Sequence, residues 1–311
     1  MQPGKSEEKS YAFAIAMLFA LATLWSLSYT LTKIAVVTIP PITLTAVRAT
    51  IAGLLLLFVM RLQGTKLPRD PKLRRQLMRQ SFLNSIIPFT LIAWAQSTVD
   101  VNIGVILSST SPIFTFFLTW AITRHEPATA RKLFGVVAGL TGICLIVGAG
   151  ALSGIGKDLL AQLALLAAAF SYSCAAIFGR SFDNLDPIVP SAFTVMFASI
   201  VLVPVSLLVD RPWTISPSVA SLVALAALSV FSTALAYVIY FWLLKTLGSI
   251  GVTSQSYLRI PIGVLFGVVF LGETLLTSTW IGLACVMVGV VAMTLPSGGQ
   301  RKRKAEPVAP G

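Results

Sequence analysis

Arg259 and Pro261 interrupt an otherwise apolar run, SYLRIPIGVLFGVVFLGE, from Ser256 to Glu273. A permanent cation and a helix breaker have no use in a span that only faces lipid. A charge near the bilayer centre is costly unless something offsets it. Water and an anionic solute would do so; so would a residue at a neighbouring span end, or backbone carbonyls. The chemistry open to Arg259 is capture of a carboxylate by charge-assisted hydrogen bonds. Other groups suited to binding a polar solute are Gln255, Ser256 and Tyr257 beside it, Ser108 and Ser111 in the run SSTSP, Trp25 and Tyr29 early in the chain, and Asn84, Ser171 and Tyr237. Each serine equally suits a bond to its own helix or to a neighbouring one.

Catalytic chemistry finds little support. His125 is the only histidine, and Cys144, Cys174 and Cys285 lie singly in apolar runs with no CxxC partner. Nucleophilic triads, disulfides, metals and cofactors are therefore not expected. A membrane-embedded lipid-modifying enzyme would need an acid/base or metal cluster, and the chain offers none. The eleven carboxylates all fall in tails, loops or span ends. Proton relays in membranes use intramembrane Asp, Glu or His. Uncoupled, facilitated movement is favoured over proton-coupled export.

These residues must be positioned by helices in a membrane. The chain is 56% hydrophobic and 11% charged, against about 25% charged in soluble domains; its mean hydropathy is +0.87. Ten apolar segments approach the roughly 20 residues needed to span: Tyr11–Val37, Thr43–Met60, Phe82–Gln96, Ile103–Thr123, Leu133–Ala151, Leu159–Phe178, Ile188–Val209, Val219–Leu244, Ile250–Leu271 and Thr277–Leu295. Phe82–Gln96 is the shortest. With both termini cytoplasmic, 18 of the 23 Lys and Arg fall on the inner side and only Lys157 and Arg211 outside, as the positive-inside rule requires. The net charge of +12 thus reflects topology and not nucleic-acid binding. Lys33, Arg48 and Arg259 lie within spans. Lys33 and Arg48, near outer ends, can snorkel to headgroups or line an outer vestibule.

The chain repeats itself at an offset of 147 residues. Ile103-Gly104-Val105 then meets Ile250-Gly251-Val252, Glu126 meets Glu273, Gly135 meets Gly282, and Gly142 meets Gly289. Residues 11–151 and 157–295 form two five-helix halves, followed by a basic cytoplasmic tail, 296–311, suited to anionic lipid. Five is odd, so the second half must insert upside down. Such inverted repeats accompany alternating access around a midplane site. Small residues four apart in the closing spans of both halves suit close packing or dimerisation. Pro112 and Pro261 are candidate hinges or static kinks.

Each half has a proline-bearing span, a link with one glutamate, and a glycine-rich closing span: SSTSPIFTFFLTWAITRHEPATARKLFGVVAGLTG and SYLRIPIGVLFGVVFLGETLLTSTWIGLACVMVG. This pattern resembles the EamA-type branch of the drug/metabolite transporter superfamily, and within it the ten-helix bacterial amino-acid and metabolite exporters, including aromatic amino-acid exporters. The resemblance implies an all-α integral membrane fold with ten helices in two inverted repeats around a central cavity. It implies a bacterial inner-membrane location. Spans one, three, four, six, eight and nine would line the cavity, with two, five, seven and ten peripheral. Glu126 and Glu273 would anchor helix ends. The implied partners are membrane lipid and a small solute, amino acids or related metabolites. Proton-coupled drug/metabolite export and sugar-nucleotide or triose-phosphate antiport are the alternatives; the latter needs more cationic pairing than one central arginine. No nucleic-acid partner is expected, and the oligomeric state is open, a monomer sufficing. If the halves are inverted, cysteines placed beside Glu126 and Glu273 will react with an impermeant thiol reagent from opposite faces. Labelling of both from one face would refute the inversion.

Overall fold

A computed structural model describes residues 3–99, 101–123, 129–152, 158–262 and 277–295. All regular structure among them is helical. A backbone in hydrocarbon must satisfy its own polar groups, and a helix does so within one segment. The first half holds α1 (Pro3–Ala35), α2 (Pro41–Leu62), α3 (Pro71–Ser81), α4 (Ile87–Ala95), α5 (Val101–Ser108), α6 (Ser111–Leu118) and α7 (Ala130–Leu152). The second holds α8 (Leu159–Gly179), α9 (Ile188–Val209), α10 (Val219–Ser229), α11 (Ala236–Thr253), α12 (255–262) and α13 (Thr277–Thr294). Among the described residues five helical stretches are long and apolar enough to cross a membrane, and two shorter apolar ones accompany them.

Starts follow from local chemistry. Pro41 and Pro71 open α2 and α3, where a missing N–H costs nothing. The Asp70 carboxylate accepts from Lys72 N and Leu73 N, both at 3.1 Å. Asp210 reaches across from the end of α9 to accept from Thr43 N at 2.6 Å and Thr43 Oγ1 at 2.9 Å, capping α2.

Two departures from the expected spans matter. The third span does not begin at Phe82. It begins at Pro71 and passes through a π-helical turn, Phe82–Ile86, into α4. Its first turns are amphipathic: Lys72, Arg74, Arg75 and Arg79 face outward while Leu77, Gln80 and Ser81 are buried. Two more π-helical segments are described: Thr119–Thr123 follows α6, and Val230–Leu235, the second-half counterpart of Phe82–Ile86, joins α10 to α11 at nearly the same place. The fourth span is not a kinked continuous helix either. It breaks at Ser109–Thr110, and Pro112 falls in the first turn of the new helix α6. The span that carries Arg259 is broken as well, by a turn at Ser254 after which α12 starts; the chain enters that span through Gly248, where the backbone takes φ 77°, a left-handed value that suits glycine. Glu126, His125, Glu273 and most of the ninth span after Ile262 lie outside the described residues.

Corresponding helices of the two halves pack on each other. In α2 and α9, Thr43 Oγ1 meets Ser206 Oγ at 2.8 Å and Thr50 Oγ1 meets Ser199 Oγ at 2.6 Å, so the pair is antiparallel. In α7 and α13 the glycines do the packing. A Cβ on Gly135 would stand 2.7 Å from the Gly289 carbonyl oxygen, and one on Gly142 would stand 2.6 Å from that of Gly282. Under the 147-residue offset each of these pairs maps onto the other. The closing spans therefore pack within one chain. At the centre, Ser109 Oγ donates to the Ser256 carbonyl at 3.1 Å, a contact between residues one repeat apart. The glycine crossing leaves no room for side chains, and overpacking a tight interface costs about 1–3 kcal/mol or more. Gly289→Val should lower the unfolding free energy of the purified protein in detergent by that amount, read as a lower midpoint, whereas Met287→Leu, on an exposed face of α13, should leave it unchanged.

Candidate functional site

A recess of about 480 Å³, counting its open mouth, lies between helices of both halves. Its wall comprises Trp25, Ser28, Tyr29 and Thr32 of α1; Leu44, Thr45 and Arg48 of α2; Phe89, Ile92 and Ala93 of α4; Tyr172 of α8; and Arg259 of α12. Among the described residues the lining includes two arginines and no acid. Arg259 is only 5% exposed and Arg48 8%.

Arg259 is held from both sides. Its Nε donates to Gln255 Oε1 at 3.2 Å and its Nη1 to Tyr29 Oη at 3.1 Å. The Tyr29 hydroxyl in turn donates to Ser108 Oγ, and Ser108 Oγ donates to the Gly104 carbonyl at 2.7 Å. Three helices are thus joined in one directed chain of donors. The guanidinium carbon lies 5.6 Å from the Trp25 ring centroid and 5.5 Å from that of Tyr29, within cation–π range. The Ser26 hydroxyl donates to the Arg259 carbonyl at 3.2 Å.

Arg48 does not snorkel to the surface. Its Nε donates to Thr233 Oγ1 at 2.6 Å, its Nη2 to the Ser232 carbonyl at 3.4 Å, and its guanidinium covers the Phe89 ring at 4.1 Å. Both acceptors sit in the π-helical turn Val230–Leu235. A wide turn shifts carbonyls out of the regular ladder and makes them accessible to neighbours. The Ser232 carbonyl also accepts from Trp25 Nε1 at 3.2 Å, so it ties α1 and α2 to the same turn. In the first π-helical turn the Asn84 carbonyl plays the like part, accepting from the Tyr237 hydroxyl at 2.5 Å.

Of the residues expected from sequence, Arg259, Trp25 and Tyr29 line the recess. Gln255 and Ser108 stand behind it as partners of Arg259 and Tyr29. The others have different surroundings. Tyr257 packs into the Gly139 gap, where a Cβ would lie 2.2 Å from its ring, and donates to the Val136 carbonyl at 3.2 Å. Ser256, Ser111 and Ser171 donate to the carbonyls of Thr253, Ser108 and Leu83. Tyr237 is buried beside Ser85. Asn84 is fully buried, and its amide has no partner among the described residues. Lys33 donates to the Gln96 and Val99 carbonyls at 2.9 and 3.2 Å, which caps the end of α4.

Span two was expected at the periphery, yet Leu44, Thr45 and Arg48 belong to the recess wall. A helical spacing does mark the wall: positions 25, 28, 29 and 32, then 44, 45 and 48, then 89, 92 and 93 each share one face. Pro112 and Pro261 are not on the wall.

Helices from both halves that meet around a charged recess are the build of a polytopic membrane transporter. The chain belongs to the EamA-like transporter family, whose model matches residues 12–148 and again 159–295. It is similar to YedA of Escherichia coli (strain K12), named an uncharacterized inner membrane transporter, at 27% identity over 280 residues and 89% of either chain. It is similar also to YoaV of Bacillus subtilis (strain 168), named an uncharacterized transporter, at 22% identity over 279 residues, 89% of this chain and 95% of YoaV. A solved crystal structure shares the fold with a TM-score of 0.73 at 19% identity, covering 91% of this chain and 98% of its own.

Tyr29→Phe would remove both the oxygen that receives Arg259 Nη1 and the proton given to Ser108. A buried donor left unpaired costs about 1–3 kcal/mol. The variant should be less stable by that amount in detergent unfolding, with its fold retained. An unchanged midpoint would show that the donor chain contributes nothing to stability.

Proposed function

We propose that the chain is an inner-membrane transporter, with both termini cytoplasmic, that exports small carboxylate-bearing metabolites, amino acids among them. The observation that carries the proposal is Arg259: a buried guanidinium oriented by Tyr29 and Gln255 on the wall of an open recess, away from any carboxylate of the wall. The inner-membrane name of the YedA relative supports the location. Alternating access fits two inverted halves, and the reciprocal antiparallel contacts of α7 with α13 support that symmetry. The broken spans at Ser109–Thr110 and Ser254 are natural places for each half to bend. Pro112 and Pro261 remain candidates for shaping those bends. Among the described residues, Asp70, Asp158, Asp183, Asp186 and Asp210 all lie at or beyond helix ends, which favours uncoupled movement over proton exchange.

Arg48 lends weight to a second reading, exchange of phosphate-bearing solutes, since it supplies the second central cation that the sequence did not place there.

Purified protein in liposomes should take up amino acids at a rate unaffected by collapse of a pH gradient. Arg259→Ala should reduce uptake by about ten-fold or more, because a buried charge contact is lost. Arg259→Lys should keep part of it, since charge survives but the planar fork does not. Uptake by Arg259→Ala at the parent rate and affinity would reject the site.

A further inference from the structure

The recess is more cationic than a zwitterion needs. Arg48 and Arg259 enter the same wall from α2 and α12, and among the described residues no acid lines the space between them. Their hydrogen bonds go to neutral oxygens: Thr233, Ser232, Gln255 and Tyr29. Those bonds engage Nε and one Nη of each arginine. A guanidinium carries five N–H donors, so both keep donors for a solute. The ring faces nearby are covered too: Phe89 by Arg48, Trp25 and Tyr29 by Arg259. An ammonium group entering here meets two like charges, no carboxylate, and aromatic faces already in use. An anionic head meets two sets of donors and balances charge that is costly to bury alone.

Resting on the reading of the recess as the solute site, we propose that the site selects solutes of net negative charge, organic anions that lack a compensating ammonium, and that Arg48 is the residue that sets this preference. Arg259 provides the first contact with the anionic head. Arg48 adds the second charge that a zwitterion leaves unneutralised. Among amino acids the same rule favours the acidic ones. A carboxylate and a phosphate ester share the required chemistry, and they are separated by the choice of probe.

The test uses four ligands built on one ring: phenylpropionate, phenylalanine, phenethylamine and phenyl phosphate. Each is titrated against the purified full-length protein in detergent, and its dissociation constant is read from the concentration-dependent rise in melting temperature. Phenylpropionate should bind at least about ten-fold more tightly than phenylalanine, as one unbalanced charge in a partly desolvated site implies. Phenethylamine should bind most weakly. Phenyl phosphate binding more tightly than phenylpropionate would identify a phosphate ester as the head, and the reverse order a carboxylate. Arg48→Gln should bring the phenylpropionate-to-phenylalanine ratio close to one, and Arg48→Lys should preserve it, a change that mere loss of packing would not produce. Should Arg48→Gln fail to fold, the parent ratio decides alone. Phenylalanine binding as tightly as phenylpropionate, with Arg259→Ala still weakening both, overturns the charge preference and leaves the recess as the site. Four ligands that all fail to bind, or bind alike to parent and Arg259→Ala, overturn both.

Discussion

Two guanidinium groups buried in a helical membrane bundle impose conditions on everything around them. Among the described residues neither Arg48 nor Arg259 has a carboxylate on the shared wall, and each is solvated by neutral oxygens and ring faces. Apart from the Gln255 side chain one turn back on α12, those groups come from other helices, because a helix consumes its own carbonyls. Tyr29 and Trp25 come from α1, Gln255 from the preceding turn of α12, and Ser232 and Thr233 from the turn between α10 and α11. The bundle is held in register largely by the need to keep these donors and acceptors opposed. The polar centre and the helix packing are one structure seen from two sides.

The irregular backbone segments serve that arrangement. Non-helical or widened turns at membrane depth are tolerated where they are buried in protein or line a cavity. Here the widened turn at Val230–Leu235 presents the Ser232 carbonyl to Trp25 and Arg48, and the one at Phe82–Ile86 presents the Asn84 carbonyl to Tyr237. The break at Ser109–Thr110 sets the Ser109 hydroxyl against Ser256. Outside the centre, where no function needs spare carbonyls, α7 and α13 are regular and cross closely at their glycines, with Val286, Ala292 and Met293 packed against them.

Much of this was legible in the residues. The membrane class followed from composition, and the repeat from one register: Gly135, Gly142, Gly282 and Gly289 align at 147 residues, and the two family matches begin that same distance apart, at 12 and 159. Arg259 stood out because a charge in an apolar run has few explanations. The rest depends on helix rotation, which an almost wholly apolar span does not encode. Arg48 near a span end fits a snorkelling reading as well as an inward one, and only its proximity to Phe89 and Thr233 decides between them. Tyr257 neighbours Arg259 in sequence, but residues two apart on a helix face different ways, and it turns into the Gly139 gap. The start of the third span was obscured because the amphipathic turns from Pro71 read as a basic loop when only hydropathy is followed.

The two widened turns also bear on ancestry. A π-helical turn amounts to one extra residue accommodated inside a helix, and removing or adding one rotates everything beyond it. Both halves carry the turn at nearly matching places, Phe82–Ile86 and Val230–Leu235. Two independent insertions at one place are a less economical history than a single insertion followed by gene duplication. The turn would then be older than the full-length chain, already present in a five-helix ancestor that had to pair with a second copy of itself. The two turns now differ in what they present: one faces Tyr237, and the other receives the Arg48 cation.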